Sequence, residues 1–341
     1  MSSCSYLRYA LAASLLAGVL NAQSIPPPPP DQTASPDSTI RVDVDLVNVF
    51  FTVRAKKGGQ LIPNLEKNDF QIFEDGKGQT IKRFSREADQ PLTLGLLIDI
   101  SASQENLVDI ERQAASQFFS SVIRQKDEAF LISFGKSTDL LQDYTNSPRL
   151  LTAGLRDLKG DGQTPMIRGN PIPVNTGPIG GDLGSPKGTL LFDAIYLASD
   201  EKLKTEVGRK ALILITDGDD QGSTYKLRDA IEAAQKSDAM VYSIYYVDRA
   251  FYGGMGGGGE SDLRKISEET GGHVFKVDSK HPLSEIFRQI QDELRNQYSI
   301  SYTPTAAERD GSFRHIQIKV DQSDDRVQAR AGYYATKNDG Q

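Results

Sequence analysis

The sequence predicts an α/β fold in which a doubly wound, mostly parallel sheet is inserted into a small β-sandwich-like module formed by the N- and C-terminal strands. Three observations lead to this prediction. Between residues 90 and 296, apolar strand patterns alternate with amphipathic helix patterns. Strand patterns also occupy residues 40–88 and 297–336, before and after that segment. Each of these β segments is too short for a stable domain, so we expect 297–336 to pair with 40–88.

Composition and charge exclude several classes of function. The 341 residues are 38% hydrophobic and 25% charged, as in an ordinary globular protein. The formal net charge is -7 and no segment is rich in lysine or arginine, which argues against binding to nucleic acid or to an anionic membrane surface. The single cysteine, Cys4, lies within the N-terminal residues 1–22, so the rest of the chain can form neither a disulfide nor a thiolate site.

The N-terminal segment predicts export to the periplasm or the extracellular space. Arg8 precedes an apolar stretch from Tyr9 to Leu20, and small Ala22 fits the last residue before a cleavage site. The apolar stretch is too short to span a bilayer, which needs ~20 residues, so we interpret residues 1–22 as a signal peptide and expect no transmembrane segment in the mature chain. Residues 23–39 are rich in proline, which is typical of an extended linker.

The flanking β segments show strand periodicity. "IRVDVDLVNVFFTVRA" alternates, with a phase slip that is typical of a β-bulge. "DFQIFEDGKGQTIKRFS" predicts two short strands around a turn at Asp75 and Gly76. After Asn296 the strand pattern returns in "QYSISYTP", "FRHIQIKV" and "VQARAGYYA".

The central segment alternates between strands and helices. Its strands are predicted in "LTLGLLID", "EAFLISFG", "KALILITDG", "MVYSIYYV" and "HVFKV". Their continuous apolar runs are typical of a parallel sheet that is buried on both faces. Helical spacing predicts a first helix with Leu107, Ile110, Ala114, Phe118 and Val122 on its buried face. Further helices are predicted in "SPRLLTAGLRDL", "TLLFDAIYLASDEKL", "TYKLRDAIEAAQKS", "ESDLRKISEETGG" and "PLSEIFRQIQDELRN".

Two glycine-rich stretches interrupt this alternation. Residues 159–188 form a long Gly/Pro insertion, and residues 252–261 contain a glycine run. Loops of such length are usually functional or disordered. Neither has the lysine position of a phosphate-binding loop, and we interpret the glycine run as a flexible surface loop.

Two of the predicted strands end in an aspartate. "LGLLIDISASQENL" places Asp99 at the end of one strand, with Ser101 and Ser103 directly after it, and "LILITDGDD" places Asp217 at the end of another. Ligands of open α/β sheets bind beyond the carboxyl ends of the strands, where the strand order reverses. Carboxylate and hydroxyl oxygens suit a hard divalent cation such as Mg²⁺.

These residues resemble a known family. "DISAS" fits the Asp-x-Ser-x-Ser motif of von Willebrand factor A domains, which binds a metal at the metal-ion-dependent adhesion site. "GTLLFDAI" resembles the threonine segment of that family, and "ITDGDD" resembles its Thr-Asp-Gly segment. The resemblance implies a site for Mg²⁺, or Mn²⁺ or Ca²⁺, with five ligands: Asp99, Ser101, Ser103, Thr189 and Asp217.

The flanking segments extend the resemblance. "LEKNDFQIFEDGKGQ", "YSISYTP", "DGSFRHIQIKV" and "RAGYYA" are similar to bacterial, exported VWFA-related proteins. The insertion at residues 159–188 departs from the family, because it is longer than the expected Gly-Gly-Thr loop. The resemblance implies a binding protein and not an enzyme, in which an Asp or Glu carboxylate of a protein partner completes the coordination of the metal.

Three alternatives remain open. The acid and serines of "DISAS" could cap the following helix. The same carboxylates could serve a hydrolase or phosphotransferase, although a dehalogenase-like site would need an acid where Ser101 stands, and the sequence has no G-x-S-x-G or H-E-x-x-H motif. The protein could also be a structural module of the cell envelope whose metal only makes loops rigid. We interpret His273, His281 and His315 as structural and Asp193 as a helix-face residue near the site.

Overall fold

The strands and helices alternate along the chain largely as the sequence predicts. The computed structural model describes residues 46–57, 59–86, 90–160, 166–167, 170–171, 188–248, 252, 258–306, 308–321 and 325–336. Its strands are β1 (Val47–Ala55), β2 (Phe70–Glu74), β3 (Lys77–Gln79), β4 (Ile81–Arg86), β5 (Leu92–Asp99), β6 (Glu128–Phe134), β7 (Thr138–Thr145), β8 (Met166–Ile167), β9 (Asn170–Pro171), β10 (Arg209–Thr216), β11 (Ala239–Tyr245), β12 (Val274–Lys276), β13 (Tyr298–Tyr302), β14 (Phe313–Val320), β15 (Asp325–Ala329) and β16 (Gly332–Tyr334). Its helices are α1 (Val108–Val122), α2 (Pro148–Gly154), α3 (Leu191–Leu197, continued by a π-helical turn), α4 (Leu227–Lys236), α5 (Glu260–Thr270) and α6 (Leu283–Arg295). The predicted signal peptide, the linker and strand residues 40–45 lie outside the described residues.

A six-stranded sheet of order β12-β11-β10-β5-β6-β7 forms the centre of the α/β domain. Its neighbouring strands are parallel except β6 and β7. All eight residues of β5 and all eight of β10 are buried, because helices cover both faces of the sheet. The predicted α/β fold with a mostly parallel sheet is confirmed, and antiparallel sheets flank it.

Two hydrophobic cores hold the helices to the sheet. One core includes α1, α2 and α6, and Phe118 of α1 stacks on Phe287 of α6 with ring centroids 4.5 Å apart. The other includes α3, α4 and α5 through Leu191, Ile231 and Leu263. Burial of large apolar side chains, at ~1.5–3 kcal/mol each, fixes the position of each helix. Within the part of the chain that the structure describes, no helix has both the length and the apolar character needed to cross a membrane.

Of the five residues that helical spacing predicts on the buried face of the first helix, four are buried and Ile110 is the exception. Ala114 and Phe118 are buried as expected, but Ile110 is 50% exposed and Glu111 is 0% exposed. The helix begins only at Val108, after a run of turns. Its first helical turn therefore faces the polar carboxyl edge of the sheet, where the acid lies in the interior in place of the isoleucine.

Strand β7 was not predicted from the sequence. It pairs antiparallel with β6 at the edge of the sheet, and its residues are exposed or half-buried. "TDLLQDYT" lacks the continuous apolar run of a central strand, because an edge strand buries little of its surface. Only the pairing with β6 identifies it as a strand.

The flanking strands form two antiparallel sheets, of order β15-β1-β13-β4 and β16-β14-β2-β3. β1 from the N-terminal segment pairs with β13 and β15 from the C-terminal segment, with Val49 opposite Ile300. A separate core of apolar side chains from both sheets includes Phe51, Ile72 and Ile318. Residues from the two ends of the described chain thus share one core.

Two strand boundaries differ from the prediction. The turn at Asp75 and Gly76 forms as expected, with φ values of 46° and 77°. The segment after it is divided, however, into β3 and β4, which belong to different sheets. "VQARAGYYA" is divided in the same way into β15 and β16. Strand periodicity cannot show such crossings, because it is the same in either sheet.

The α/β domain begins and ends on neighbouring strands. β4 precedes it, β13 follows it, and these two strands pair with Arg86 opposite Tyr298. The side chain of Arg209, at the start of β10, joins both connections: Nη2 donates to the Gln90 carbonyl at 2.8 Å, and Nη1 donates to the Leu294 carbonyl. Arg209 is 1% exposed. The described residues lie in one compact unit, Val44–Gln341.

Candidate metal centre

The two aspartates of the predicted site lie at the ends of neighbouring strands. β5 and β10 pair in parallel, with Ile98 opposite Ile215, so Asp99 and Asp217 leave the same edge of the sheet. The strand order reverses between β5 and β10, since the chain runs from β5 to β6 on one side and from β10 to β11 on the other. This edge is the position where open α/β sheets bind ligands.

Hydrogen bonds fix both carboxylate oxygens of Asp99. Oδ1 accepts a hydrogen bond from the backbone N–H of Ser101 at 2.9 Å, and Oδ2 accepts one from the Thr216 hydroxyl at 2.6 Å. The Thr216 oxygen in turn accepts the N–H of Gly218 at 2.9 Å. The carboxylate is 0% exposed, so its orientation is set by the protein and not by water.

The two serines are buried beside this aspartate and do not cap the following helix. Ser101 Oγ and Ser103 Oγ are 3.1 Å apart. Helix α1 starts at Val108, and its N-cap residue, Leu107, makes no side-chain capping bond. Capping of α1 by the serines is therefore wrong as an explanation of the motif.

Thr189 belongs to a third loop at the same edge. Its carbonyl accepts the N–H of Gln221 at 2.8 Å, and the Gln221 carbonyl accepts the N–H of Gly188 at 2.7 Å. The N–H of Leu190 donates to the carbonyl of Gly135, just beyond β6, at 3.0 Å. Backbone pairing thus places Thr189, which is 5% exposed, between the loop after Asp217 and the end of β6.

Sequence reasoning missed two residues that hold Asp217. Nε2 of Gln104 donates to Oδ2 of Asp217 at 3.0 Å and to the carbonyl of Tyr246 at 3.1 Å. The Tyr252 hydroxyl donates to the same Asp217 oxygen at 2.9 Å and lies 3.1 Å from Oδ2 of Asp219. Gln104 could have been suspected from its place directly after the motif. Nothing in the sequence marks Tyr252, which stands at the start of the glycine run.

Glu111 is a third buried acid at this edge. It is 0% exposed, and neither of its carboxyl oxygens has a hydrogen-bond partner among the described residues. Burial, together with the negative charges of Asp99 and Asp217, raises the pKa of Glu111 well above its ordinary value. The prediction from helical spacing placed Ile110 inside and so did not find this acid.

The site concentrates acidic side chains away from water. Burial raises the pKa of Asp99 to about 7; hydrogen bonds from Ser101 and Thr216 oppose this shift, and the charge of Asp217 adds to it. Burial and the charges of Asp217 and Asp219 also raise the pKa of the Tyr252 hydroxyl, which keeps its proton, while a hydrogen bond with Ser103 opposes this shift.

Among the residues that the structure describes, no positive side chain compensates these acids. Asp99, Asp217 and Glu111 form no ion pair with Lys, Arg or His among the described residues. The described residues also contain no cluster of three or more His, Cys, Asp or Glu side chains arranged for a metal. The predicted ligand set would not form such a cluster, because hydroxyl groups supply three of its five members.

The end of the glycine run packs against the site. A Cβ atom on Gly259 would lie 1.9 Å from the backbone of Gly218, directly after Asp217, and Gly218 has a φ of 81°. The interpretation of residues 252–261 as a flexible surface loop is therefore wrong for Gly259, which is buried; residues 253–257 lie outside the described residues.

Other acids near the site bind the backbone. Asp193 Oδ1 accepts the N–H of Tyr225 at 2.9 Å, and Asp220 Oδ1 accepts the N–H of Phe192 at 3.2 Å. Both aspartates thus fix local chain geometry.

The histidines lie in other contexts. His273 bonds Gln328 at 2.8 Å, and burial lowers its pKa to about 4. His281 bonds the exposed Asp278, and the backbone N–H of His315 binds Asp75. None of these partners belongs to the candidate site.

The insertion begins and ends beside the site. Gly160 lies against the side chain of Glu105, in the loop of the two serines, and Gly188 is bonded to Gln221. Residues 161–165, 168–169 and 172–187 lie outside the described residues; between them, β8 and β9 form a two-stranded antiparallel pair.

Comparisons with known proteins identify part of the chain. Residues 184–289 match the model of the von Willebrand factor type A domain, and this segment contains Thr189 and Asp217. No curated protein matches the sequence.

Solved structures resemble the chain at low identity. The conserved hypothetical protein BatB from Bacteroides thetaiotaomicron is 19% identical, with 60% of this chain and 97% of that chain covered and a TM-score of 0.42. Proximal thread matrix protein 1 from the mussel byssus, with a zinc-occupied MIDAS motif, is 15% identical. The match covers 64% of this chain and 48% of that chain, with a TM-score of 0.46. A von Willebrand factor type A protein from Catenulispora acidiphila is 12% identical. The match covers 81% of this chain and 76% of that chain, with a TM-score of 0.45. On the family match, the chain carries a von Willebrand factor type A domain.

Proposed function

We propose that the carboxyl edge of the main sheet binds a divalent cation (Mg²⁺, Mn²⁺ or Ca²⁺) and through it a carboxylate of a protein partner. The proposed ligands come from three loops: Asp99, Ser101, Ser103, Thr189 and Asp217. All five are buried at this edge, with relative exposures from 0% to 9%. The proposed activity is binding and not catalysis.

The burial of uncompensated acids carries this proposal. Asp99, Asp217 and Glu111 are each 0% exposed, without a positively charged partner among the described residues. A buried, unpaired carboxylate costs several kcal/mol. A divalent cation at this edge would remove that cost, and carboxylate and hydroxyl oxygens are the donors that hard cations prefer. The residues present therefore fit the ion that the domain family implies.

The surrounding residues orient the proposed ligands. Thr216 and the Ser101 backbone hold the two oxygens of Asp99, and Gln104 holds Asp217. When bound, the cation supplies an open coordination position that an Asp or Glu side chain of a partner fills. A site already oriented by hydrogen bonds loses little entropy on binding.

We propose that the insertion at residues 159–188 selects the partner. Its first described end lies against Glu105 and its last against Gln221, so both ends lie beside the ligand loops. A replacement of residues 162–186 by a short Gly-Ser linker is expected to keep cation affinity and lose the partner. Retention of the partner by this variant would contradict the role of the insertion in selecting the partner.

We further propose that the protein acts outside the cytoplasm. The apolar stretch from Tyr9 to Leu20 and small Ala22 support export and cleavage of residues 1–22. Intact-mass measurement of the exported protein is expected to give an N-terminus near Gln23. A mass that includes Met1 would contradict this part of the proposal.

Calorimetry of Mg²⁺ and Mn²⁺ tests the site. Asp99→Asn and Asp217→Asn are expected to lose most of the cation affinity, because each removes a formal charge and replaces a carboxylate ligand by a neutral amide oxygen. Asp109→Asn, an exposed change in α1, is the matched control and should bind as the wild type does. Cation binding by Asp99→Asn at wild-type affinity would contradict the proposal.

Pull-down from cell-envelope extract, with and without EDTA, tests the partner. Loss of the partner with EDTA, and with Asp99→Asn, is expected. Partner binding that is insensitive to EDTA would favour a structural module. Turnover of generic phosphate esters that requires Asp99 would favour a hydrolase or phosphotransferase.

A further inference from the structure

One oxygen of Asp217 already accepts two hydrogen bonds. Oδ2 accepts one from Gln104 Nε2 at 3.0 Å and one from the Tyr252 hydroxyl at 2.9 Å. A carboxylate oxygen has two lone pairs, so both lone pairs of this oxygen are in use. A cation that coordinates Oδ2 must therefore replace one of the two donors.

Tyr252 is the donor that a cation can displace from Asp217. Gln104 is 0% exposed and its Nε2 also donates to the carbonyl of Tyr246 at 3.1 Å, so its movement would break two hydrogen bonds. Tyr252 is only half-buried. Its hydroxyl also lies 3.1 Å from Oδ2 of Asp219, and it has one proton to donate. It can release Asp217 and keep a hydrogen bond by donating fully to Asp219.

The position of the hydroxyl supports this choice. Besides Asp217, it interacts with the side chain of Ser103, so it contacts two of the five proposed ligands, from two different loops. The hydroxyl thus contacts a carboxylate and a serine side chain that would both hold the cation.

We propose that the Tyr252 hydroxyl is an internal substitute for the cation at Asp217. In the metal-free protein, the hydroxyl occupies with its hydrogen bond the lone pair of Asp217 Oδ2 that a cation would use. Cation binding moves this hydrogen bond to Oδ2 of Asp219. Tyr252 thereby lowers the apparent affinity for the cation and links binding at Asp217 to the chain segment that carries the tyrosine. This inference rests on the proposed metal site.

Calorimetry of Mn²⁺ binding to the full exported chain gives the first test. Tyr252→Phe keeps the ring and removes the hydroxyl, and the cation affinity is expected to rise by about tenfold, the effect of one hydrogen bond to a charged group. Tyr225→Phe, at a half-buried tyrosine that stacks on Tyr196, is the matched control and should leave the affinity unchanged. An unchanged or weaker affinity in Tyr252→Phe would overturn the inference.

A spectroscopic readout separates displacement from a general change in the site. The chain has no tryptophan, so its near-ultraviolet absorbance comes mainly from tyrosine. Addition of Mn²⁺ is expected to give a tyrosine difference spectrum in the wild type and in Tyr225→Phe, but not in Tyr252→Phe. The same difference spectrum in all three proteins would overturn the inference.

A double-mutant cycle tests the role of Asp219. Asp219→Ala removes the second acceptor, so it should weaken cation binding more in the wild type than in Tyr252→Phe. Equal effects in both backgrounds would contradict the proposed transfer. If the wild type and Tyr252→Phe both bind no cation, the metal site itself is wrong; if they bind equally well, only the role of Tyr252 is wrong.

Discussion

The Thr216 hydroxyl donates a 2.6 Å hydrogen bond to Oδ2 of Asp99, across 117 positions of the sequence. Thr216 is the last residue of β10 and Asp99 is the last of β5, so this bond joins the two strands at the point where the strand order reverses. The Thr216 oxygen already accepts the Gly218 N–H, and its proton is therefore directed to Asp99. Thr216 thus orients the Asp99 carboxylate at the end of β5 and also the loop that follows β10.

Thr216→Val should destabilise the protein and weaken cation binding. Valine has the same shape but leaves a buried carboxylate oxygen and the Gly218 N–H without their partner, at a cost of about 1–3 kcal/mol. Urea unfolding and Mn²⁺ calorimetry measure the two effects. Thr52→Val is the matched control: Thr52 is also a fully buried strand residue, but its hydroxyl has no hydrogen-bond partner among the described residues. Equal losses in both variants would show that the Thr216 hydroxyl has no special role.

The stability of the metal-free protein should depend on the charge of Asp99. Its pKa rises from an ordinary 3.8 to about 7 on folding, so the folded state holds this proton more tightly than the unfolded state. The stability contribution of Asp99 is therefore present below about pH 4 and is lost as the pH rises to 7. Each unit of pKa difference corresponds to about 1.4 kcal/mol.

Asp99→Asn isolates this contribution from the other buried acids. In EDTA, urea unfolding should show the variant gaining stability relative to the wild type as the pH rises from about 4 to 7. Saturating Mn²⁺ should stabilise only the wild type, because a ligand that binds the folded state alone shifts the equilibrium towards it. A constant difference between the two proteins across this pH range in EDTA would contradict the prediction.

Gly259→Ala should disturb the loop that carries Asp217. The added Cβ would lie 1.9 Å from the carbonyl group of Gly218, so the backbone of one loop must shift. We expect a loss of stability of about 1–3 kcal/mol, as for other overpacked sites, together with weaker cation binding. Gly258→Ala is the neighbouring control, since its Cβ would meet nothing closer than the Asp219 side chain at 3.4 Å. Equal behaviour of the two variants in thermal unfolding would contradict the close packing.

Arg209→Met should loosen the attachment of the α/β domain to the flanking sheets. It removes the buried donors to the carbonyls of Gln90 and Leu294, on the two connections between these parts. The loss of the buried bond to Leu294 and the part-buried bond to Gln90 costs roughly 2–4 kcal/mol together. Arg288→Met, which removes only exposed ion pairs in α6, should change stability by less than about 1 kcal/mol. Chemical unfolding of both variants gives the comparison, and similar midpoints would contradict the role of Arg209.

Local pattern determined the fold class and the first part of the site. Continuous apolar runs predicted β5 and β10, because strands buried on both faces of a parallel sheet must be apolar throughout. The motif at Asp99 predicted a cation site because its residues are adjacent in the chain. Its assignment as a metal centre, with Thr189 and Asp217, remains a proposal.

Tertiary structure decided what depends on contacts between distant segments. Strand β7 exists through its pairing with β6, and the separation of β3 from β4 depends on which sheet each strand joins. Glu111 is buried because the start of α1 faces the acidic edge of the sheet, where helical spacing alone predicted Ile110. Tyr252 meets Asp217 across 35 positions of the sequence. Sequence periodicity shows which faces of a strand or helix are apolar. It does not show which polar side chains are buried or what they bind, because both depend on residues from distant segments.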